Sequence, residues 1–137
     1  MFKAESYFRQ ALAHDANAYE PLVNLGGTLL NLNRFSEALP LNQNAALARP
    51  EDALAHSQLG LNYFALGDLH NALLHLNRAK KLDPAHFSHP QLTLAEIYLR
   101  KGDRPAAAAE LEELVRFHPH DANAPKIRAA LPRLRSP

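Results

Sequence analysis

A self-similarity at 34 residues governs what this chain can fold into. Leu25-Gly26 aligns with Leu59-Gly60, and at the same spacing Ala38 falls on Ala72, Ala45 on Ala79 and Pro50 on Pro84. A third copy, displaced by 35, sets Leu94-Ala95, Tyr98, Gly102-Asp103, Ala107, Leu111 and Pro119 opposite Leu59-Gly60, Tyr63, Gly67-Asp68, Ala72, Leu76 and Pro84. The additional residue falls in Ala85-His86-Phe87-Ser88-His89-Pro90-Gln91, a predicted inter-repeat loop, where lengthening costs little closure entropy. Moving 34 residues toward the N-terminus from Ala38, Asn42 and Ala45 reaches Ala4, Phe8 and Ala11, so the chain is expected to begin in the second half of a copy. A period of this length makes each copy one supersecondary unit, and the units must stack to bury a shared core.

Within each copy the apolar residues recur at three and four, as in Leu22, Leu25, Leu29 and Leu32, and again in Leu59, Tyr63 and Leu66. That period marks amphipathic helices, and no segment alternates as a strand would. Asn33-Arg34, Gly67-Asp68 and Gly102-Asp103 are predicted to end the first helix of each pair, because Gly and Asn accept the left-handed helix terminus. Ser36 is the expected N-cap of its helix, and Pro105 suits a first turn. Pro40 is acceptable if it too lies in a first turn, before most backbone donors are committed. A last helical pattern, Asn123 to Leu134, repeats Ile127, Leu131 and Leu134 beneath a basic outer face and reads as a cap.

These residues resemble the tetratricopeptide repeat family. His56, Leu59, Gly60, Tyr63, Ala72, Leu76, Ala79 and Pro84 match its pattern most fully, with His56 in the place of the bulky first residue. Departures are Ala95 for Gly60, Leu114 for Ala79, Ala16 where a terminal Pro is expected, and polar Asn42 where other copies carry Phe8, Leu76 and Leu111. The resemblance implies an all-α, right-handed superhelical solenoid forming one domain over 1–137. Its expected parts are a half repeat at 1–18, repeats at 19–52, 53–87 and 88–121, and a capping helix and tail at 122–137. Gly26, Gly60, Ala38 and Ala72 let helices approach to roughly 8 to 10 Å while Leu and Tyr fill the space around them.

By the same resemblance, first helices line a concave groove. The inward positions are expected to be Val23, Gly27 and Leu30; then Leu54, Ser57, Gln58, Leu61 and Phe64; then Leu92, Glu96, Leu99 and Arg100. Such a lining, mostly apolar with polar interruptions, suits an amphipathic helix or hydrophobic peptide, and implies a non-catalytic interaction scaffold. One subclass of the family grips chaperone C-terminal carboxylates with Lys, Asn, Asn, Lys and Arg; the matching places hold Val23, Gly27, Gln58, His89 and Thr93, so that clamp is absent. Asn24 resembles the groove asparagines of repeats attached to sugar-transferring enzymes, yet Gln58 and Thr93 break the series. The alternative reading is a structural or self-association segment of a longer repeat protein, one with an attached enzyme domain included. It draws on the mid-repeat start, which leaves the face of helix Tyr19 to Leu32 open for a second copy as a homodimer.

Other classes are disfavoured. The chain carries no GxSxG, P-loop, GxGxxG after a strand or HExxH, and Gly26-Gly27 lies within a helix, where it cannot cradle phosphate. No catalytic residue and no cofactor are predicted. With no Cys, thiolate chemistry and thiol zinc sites are out. Among eight His, the strongest metal constellation is His86 and His89 with His118 and His120 in adjacent loops, but ligands must meet about 2.0 to 2.1 Å from one ion, and no metal is expected. A formal net charge of +1 gives no field for nucleic acid or anionic lipid. Lys126, Arg128, Arg133 and Arg135 form one basic patch near Asp121, without interleaved aromatics for base stacking, so no nucleic acid partner is expected. No stretch reaches the roughly 18 apolar residues of a membrane span, and the start shows no leader, which points to the cytoplasm.

Overall fold

The computed structural model describes residues 2–136, so Met1 and Pro137, the ends of the expected domain, lie outside the described residues. Among these, eight α-helices and no strands form: α1 (Phe2–His14), α2 (Tyr19–Asn31), α3 (Phe35–Ala48), α4 (Ala53–Ala65), α5 (Leu69–Leu82), α6 (Pro90–Arg100), α7 (Arg104–Phe117) and α8 (Ala124–Arg135). Each helix packs on the next in the chain, and α2 also meets α4. The result is an all-α solenoid of helical repeats.

Helices of 11 to 14 residues are marginal alone in water, so the array is held by the faces they share. Leu25, Leu29 and Ala38 form one buried cluster with Phe8 and Leu12 of α1 against it. Leu22, Val23, Ala45, Ala46, Ala55 and Leu59 form a second, and Ala72, Leu76, Leu94 and Ile97 a third, which Tyr63, Phe64 and Tyr98 flank. The small residues sit where helices touch: a Cβ on Gly60 would stand 2.6 Å from Leu76 Cγ and 3.1 Å from the Leu76 backbone nitrogen. Lys80 Nζ adds a polar tie from α5 to α7, donating to Glu110 Oε1 at 2.6 Å and Oε2 at 2.9 Å.

Turn chemistry follows the sequence at three places: Asn33, Gly67 and Gly102 take positive φ of 59°, 83° and 78° after the first helix of each pair. The expected Ser36 cap is corrected. The helix starts earlier, at Phe35 with Arg34 as N-cap, and no side chain caps it. Asp68 and Asp103, the equivalents of Arg34, accept from the backbone N–H of Asn71 and Ala106; arginine has no acceptor and cannot substitute for them. Pro40 therefore lies in the second turn, inside the helix, on its exposed side together with Ser36. The predicted loop Ala85 to Gln91 is shortened because α6 already begins at Pro90, entered through His89 at φ 51°. On α2, α1 covers Leu25 and Leu29, and the residues that α2 leaves exposed include polar Glu20, Asn24 and Asn31.

Candidate functional site

One concavity of about 410 Å³ opens between α2 and α4. Gly27, Leu30 and Asn31 of α2 line one wall, Phe35 of α3 its end, and Phe87 and Ser88 of the loop between α5 and α6 its lip. Along α4, Leu54, Ser57, Gln58, Leu61, Phe64 and Ala65 form a continuous stripe, because residues three and four apart share a helix face.

Beneath this stripe runs a buried polar ladder. Asn62 Nδ2 donates to the Phe35 carbonyl at 2.9 Å, Asn42 Nδ2 to Asn62 Oδ1 at 2.9 Å, and Gln58 Nε2 to both Asn42 Oδ1 at 3.0 Å and the Val23 carbonyl at 2.8 Å. Asn42 and Asn62 are fully buried, so the bond between them is one that water cannot replace. The Asn42 departure from the apolar repeat pattern thus has a partner set of its own. Beside it, Ser57 Oγ donates to Ser88 Oγ at 2.6 Å, and Ser88 Oγ lies 2.7 Å from His86 Nδ1.

Of the groove positions expected from sequence, Gly27, Leu30, Leu54, Ser57, Gln58, Leu61 and Phe64 share this concavity. Val23 does not: only 4% exposed, it packs in the core between α2 and α4. Leu92 borders a separate hollow with His89, Leu114, Asp121, Asn123, Lys126 and Ile127. Glu96, Leu99 and Arg100 are exposed on α6 outside the concavity, although the Arg100 guanidinium lies 4.6 Å over the Phe64 ring. Asn31, Phe35, Ala65, Phe87 and Ser88 are lining residues that the repeat register did not single out. Phe87, 74% exposed in the inserted loop, carried the one available signal: a large aromatic where a loop needs none.

The histidines sort differently from the metal constellation weighed on the sequence. His86 engages Ser88, while the His89 and His118 rings lie 4.1 Å apart with His89 Nδ1 3.9 Å from Asp121, and no cluster of three or more metal-capable side chains forms among the described residues. The pairing that sequence spacing missed is His56 with His75. Their Nδ1 atoms are 3.1 Å apart in rings inclined by only 14°, and His56 Nε2 is 2.7 Å from the Pro50 carbonyl. The carbonyl requires a proton on His56 Nε2, so His56 Nδ1 accepts from His75 Nδ1–H.

Burial, then the neighbouring His56, holds the His75 pKa below the usual imidazole value, and burial and His89 do the same to His118. A depressed histidine pKa means that, below about 6.5, the unfolded chain takes up a proton the folded chain refuses. Stability is therefore complete above that value and falls as pH drops toward the folded pKa. Thermal melts between pH 7.5 and 5 should show a declining Tm, and His75→Gln should flatten the decline; a pH-independent Tm contradicts the assignment.

In the basic C-terminal patch, Arg135 pairs with Glu112, Arg104 donates to the Arg133 carbonyl, and Arg128 approaches the Pro119 carbonyl at 3.5 Å. No helix among the described residues is long and apolar enough to cross a membrane.

Comparison with known proteins agrees with this architecture. The anaphase-promoting complex subunit 3 of Schizosaccharomyces pombe (strain 972 / ATCC 24843) is 29% identical over 121 residues, covering 88% of this chain, which spans only 18% of that relative. The solved structure of MamA 41-end from Desulfovibrio magneticus RS-1 superposes with a TM-score of 0.78 at 25% identity, over 88% of this chain and 67% of that one. The Yersinia enterocolitica type III secretion chaperone SycD, solved in complex with a peptide of the translocator YopD, shares the fold with a TM-score of 0.75 at 17% identity, over 84% of this chain and 90% of its own. The family model for the tetratricopeptide repeat matches residues 63–131, half of the sequence, and with the 34-residue register and the stacked helix pairs it establishes that the chain belongs to the tetratricopeptide repeat family.

Proposed function

We propose that this chain is a non-catalytic scaffold for protein–protein interaction that receives an amphipathic helix or apolar peptide between α2 and α4. The observation that carries this reading is the concavity itself: Leu30, Phe35, Leu54, Leu61, Phe64 and Phe87 converge on one open hollow with no charged residue in its lining. Apolar side chains left partly accessible together at the edge of a packed core mark a surface for another chain. The solved pairing of SycD with a YopD peptide supports peptide capture as a use of this fold.

The test replaces Leu61 with Lys and Phe64 with Glu. Both residues are half-buried at the groove, so helix content by circular dichroism should persist while partners in a lysate pull-down are lost. Recovery of the same partners by the variant overturns the groove reading. A structural or self-association role in a longer protein is the second reading, favoured by similarity to a subunit of a larger complex of which this chain spans 18%. Light scattering that shows a concentration-dependent mass would support it.

A further inference from the structure

We infer that the groove selects a ligand whose anchor is a hydrogen-bond donor without an acceptor, and that this anchor is a tryptophan side chain on an apolar segment. The inference rests on the groove reading above and adds the chemistry of its occupant.

Proton accounting in the polar ladder carries it. The ladder is fixed at both ends by backbone carbonyls, which only accept: Phe35 takes Asn62 Nδ2 and Val23 takes Gln58 Nε2. Every amide between them is thereby oriented, and Gln58 Nε2 is committed to Val23 and Asn42. What Gln58 has left is Oε1, which no group among the described residues donates to. It lies beside Gly27, where a Cβ would come within 2.9 Å of it, and both residues line the concavity. The second polar strip has the same sense. The Ser88 backbone N–H donates to His86 Nδ1 at 3.2 Å, which makes that nitrogen an acceptor; the Ser88 hydroxyl then donates to it, and Ser57 donates to Ser88. The protons of both hydroxyls are used, and only lone pairs remain.

The fixed side-chain groups of the floor are therefore all acceptors, and among the lining side chains Asn31 at the exposed edge alone is free to take either role. A carboxylate meets repulsion here. Asn, Gln and Tyr bring an acceptor that would be stranded, and Lys or Arg must shed water in a hollow with no acid in its lining. The indole has one N–H, no acceptor, and a large apolar body suited to the hollow between Leu61 and Phe64.

Two labelled 16-residue helical peptides test this by fluorescence anisotropy. They carry the same leucines at i and i+7 and differ only at the anchor: tryptophan in one, 3-benzothienylalanine in the other, which keeps the shape and loses the N–H. On the wild type the tryptophan peptide should bind about 10-fold more tightly, the ratio expected when a desolvated acceptor is left unpaired. In Gly27→Ala, where the new methyl comes within 2.9 Å of Oε1 and displaces the Gln58 amide from its place at the groove, that ratio should fall to near one. Equal binding of both peptides to the wild type, lost in Phe64→Glu, overturns the donor selectivity and leaves the groove reading standing. A ratio that persists in Gly27→Ala overturns the assignment to Gln58. Binding of neither peptide to a protein of intact helicity overturns the inference together with the groove reading.

Discussion

Ala72→Asp should abolish cooperative folding of the middle of the array. Ala72 is fully buried in the cluster of Leu76, Leu94 and Ile97, bordered by Tyr63, Phe64, Leu69, Leu73 and Tyr98, none of which carries a cation. An ionised carboxylate placed there has no partner and loses its water, at a cost of about 3 to 5 kcal/mol. Against a typical domain stability of roughly 5 to 15 kcal/mol, that loss removes a large part of the margin. Because stacked repeats lend one another their stability, it spreads to both neighbours rather than staying in one helix pair. Leu74→Asp is the control. Two residues along the same helix, Leu74 is 58% exposed, so its carboxylate stays hydrated and the Tm should move little. Thermal melts by circular dichroism decide the matter: equal Tm values for the two variants would mean that the α5–α6 contact is not the core it is taken to be.

The legibility of this chain divides along a physical line. Ala72, Gly60 and Leu76 were readable because close helix approach tolerates only small residues opposite large ones, and the 34-residue period repeats that demand in each copy. Asn33, Gly67 and Gly102 were readable because positive φ is a local demand. Seven groove positions could be named, since they follow from helix periodicity once the register is set, whereas Val23 is one helical step toward the core and a face argument does not resolve that step. Leu92, Glu96, Leu99 and Arg100 lie on α6, outside a concavity whose walls are α2 and α4. Side-chain pairings across helices were not legible at all. His56 with His75 and Asn42 with Asn62 lie 19 and 20 residues apart, and no local spacing rule connects them.

The Asn42 ladder gives the other large effect, because its direction makes two nearly isosteric residues unequal. Asn42 Nδ2 faces Asn62 Oδ1 at 2.9 Å, and Asn62 cannot turn its amide to adapt, since its own nitrogen is held by the Phe35 carbonyl. Asn42→Asp sets oxygen against oxygen at that distance and buries a charge that keeps one donor, Gln58 Nε2. The expected loss at pH 7 is about 3 to 5 kcal/mol, seen as a lower denaturation midpoint in urea. Asn42→Leu, which restores the apolar residue of the other copies, should cost far less. It leaves Asn62 Oδ1 unpaired at about 1 to 3 kcal/mol, while burial of the new side chain returns about 1.5 to 3 kcal/mol. Acid should narrow the gap between Asn42→Asp and the wild type. The introduced carboxyl is buried, its folded pKa rises above the unfolded value near 3.9, and once protonated it can donate to Asn62 as the native amide does. The deficit is therefore largest above the raised pKa and shrinks as pH falls through it, even as the wild type itself loses stability in acid through His75. If Asn42→Asp matches the wild type at pH 7, the ladder has no fixed direction. The orientation of Gln58, and with it the acceptor it turns toward the groove, then loses its structural basis.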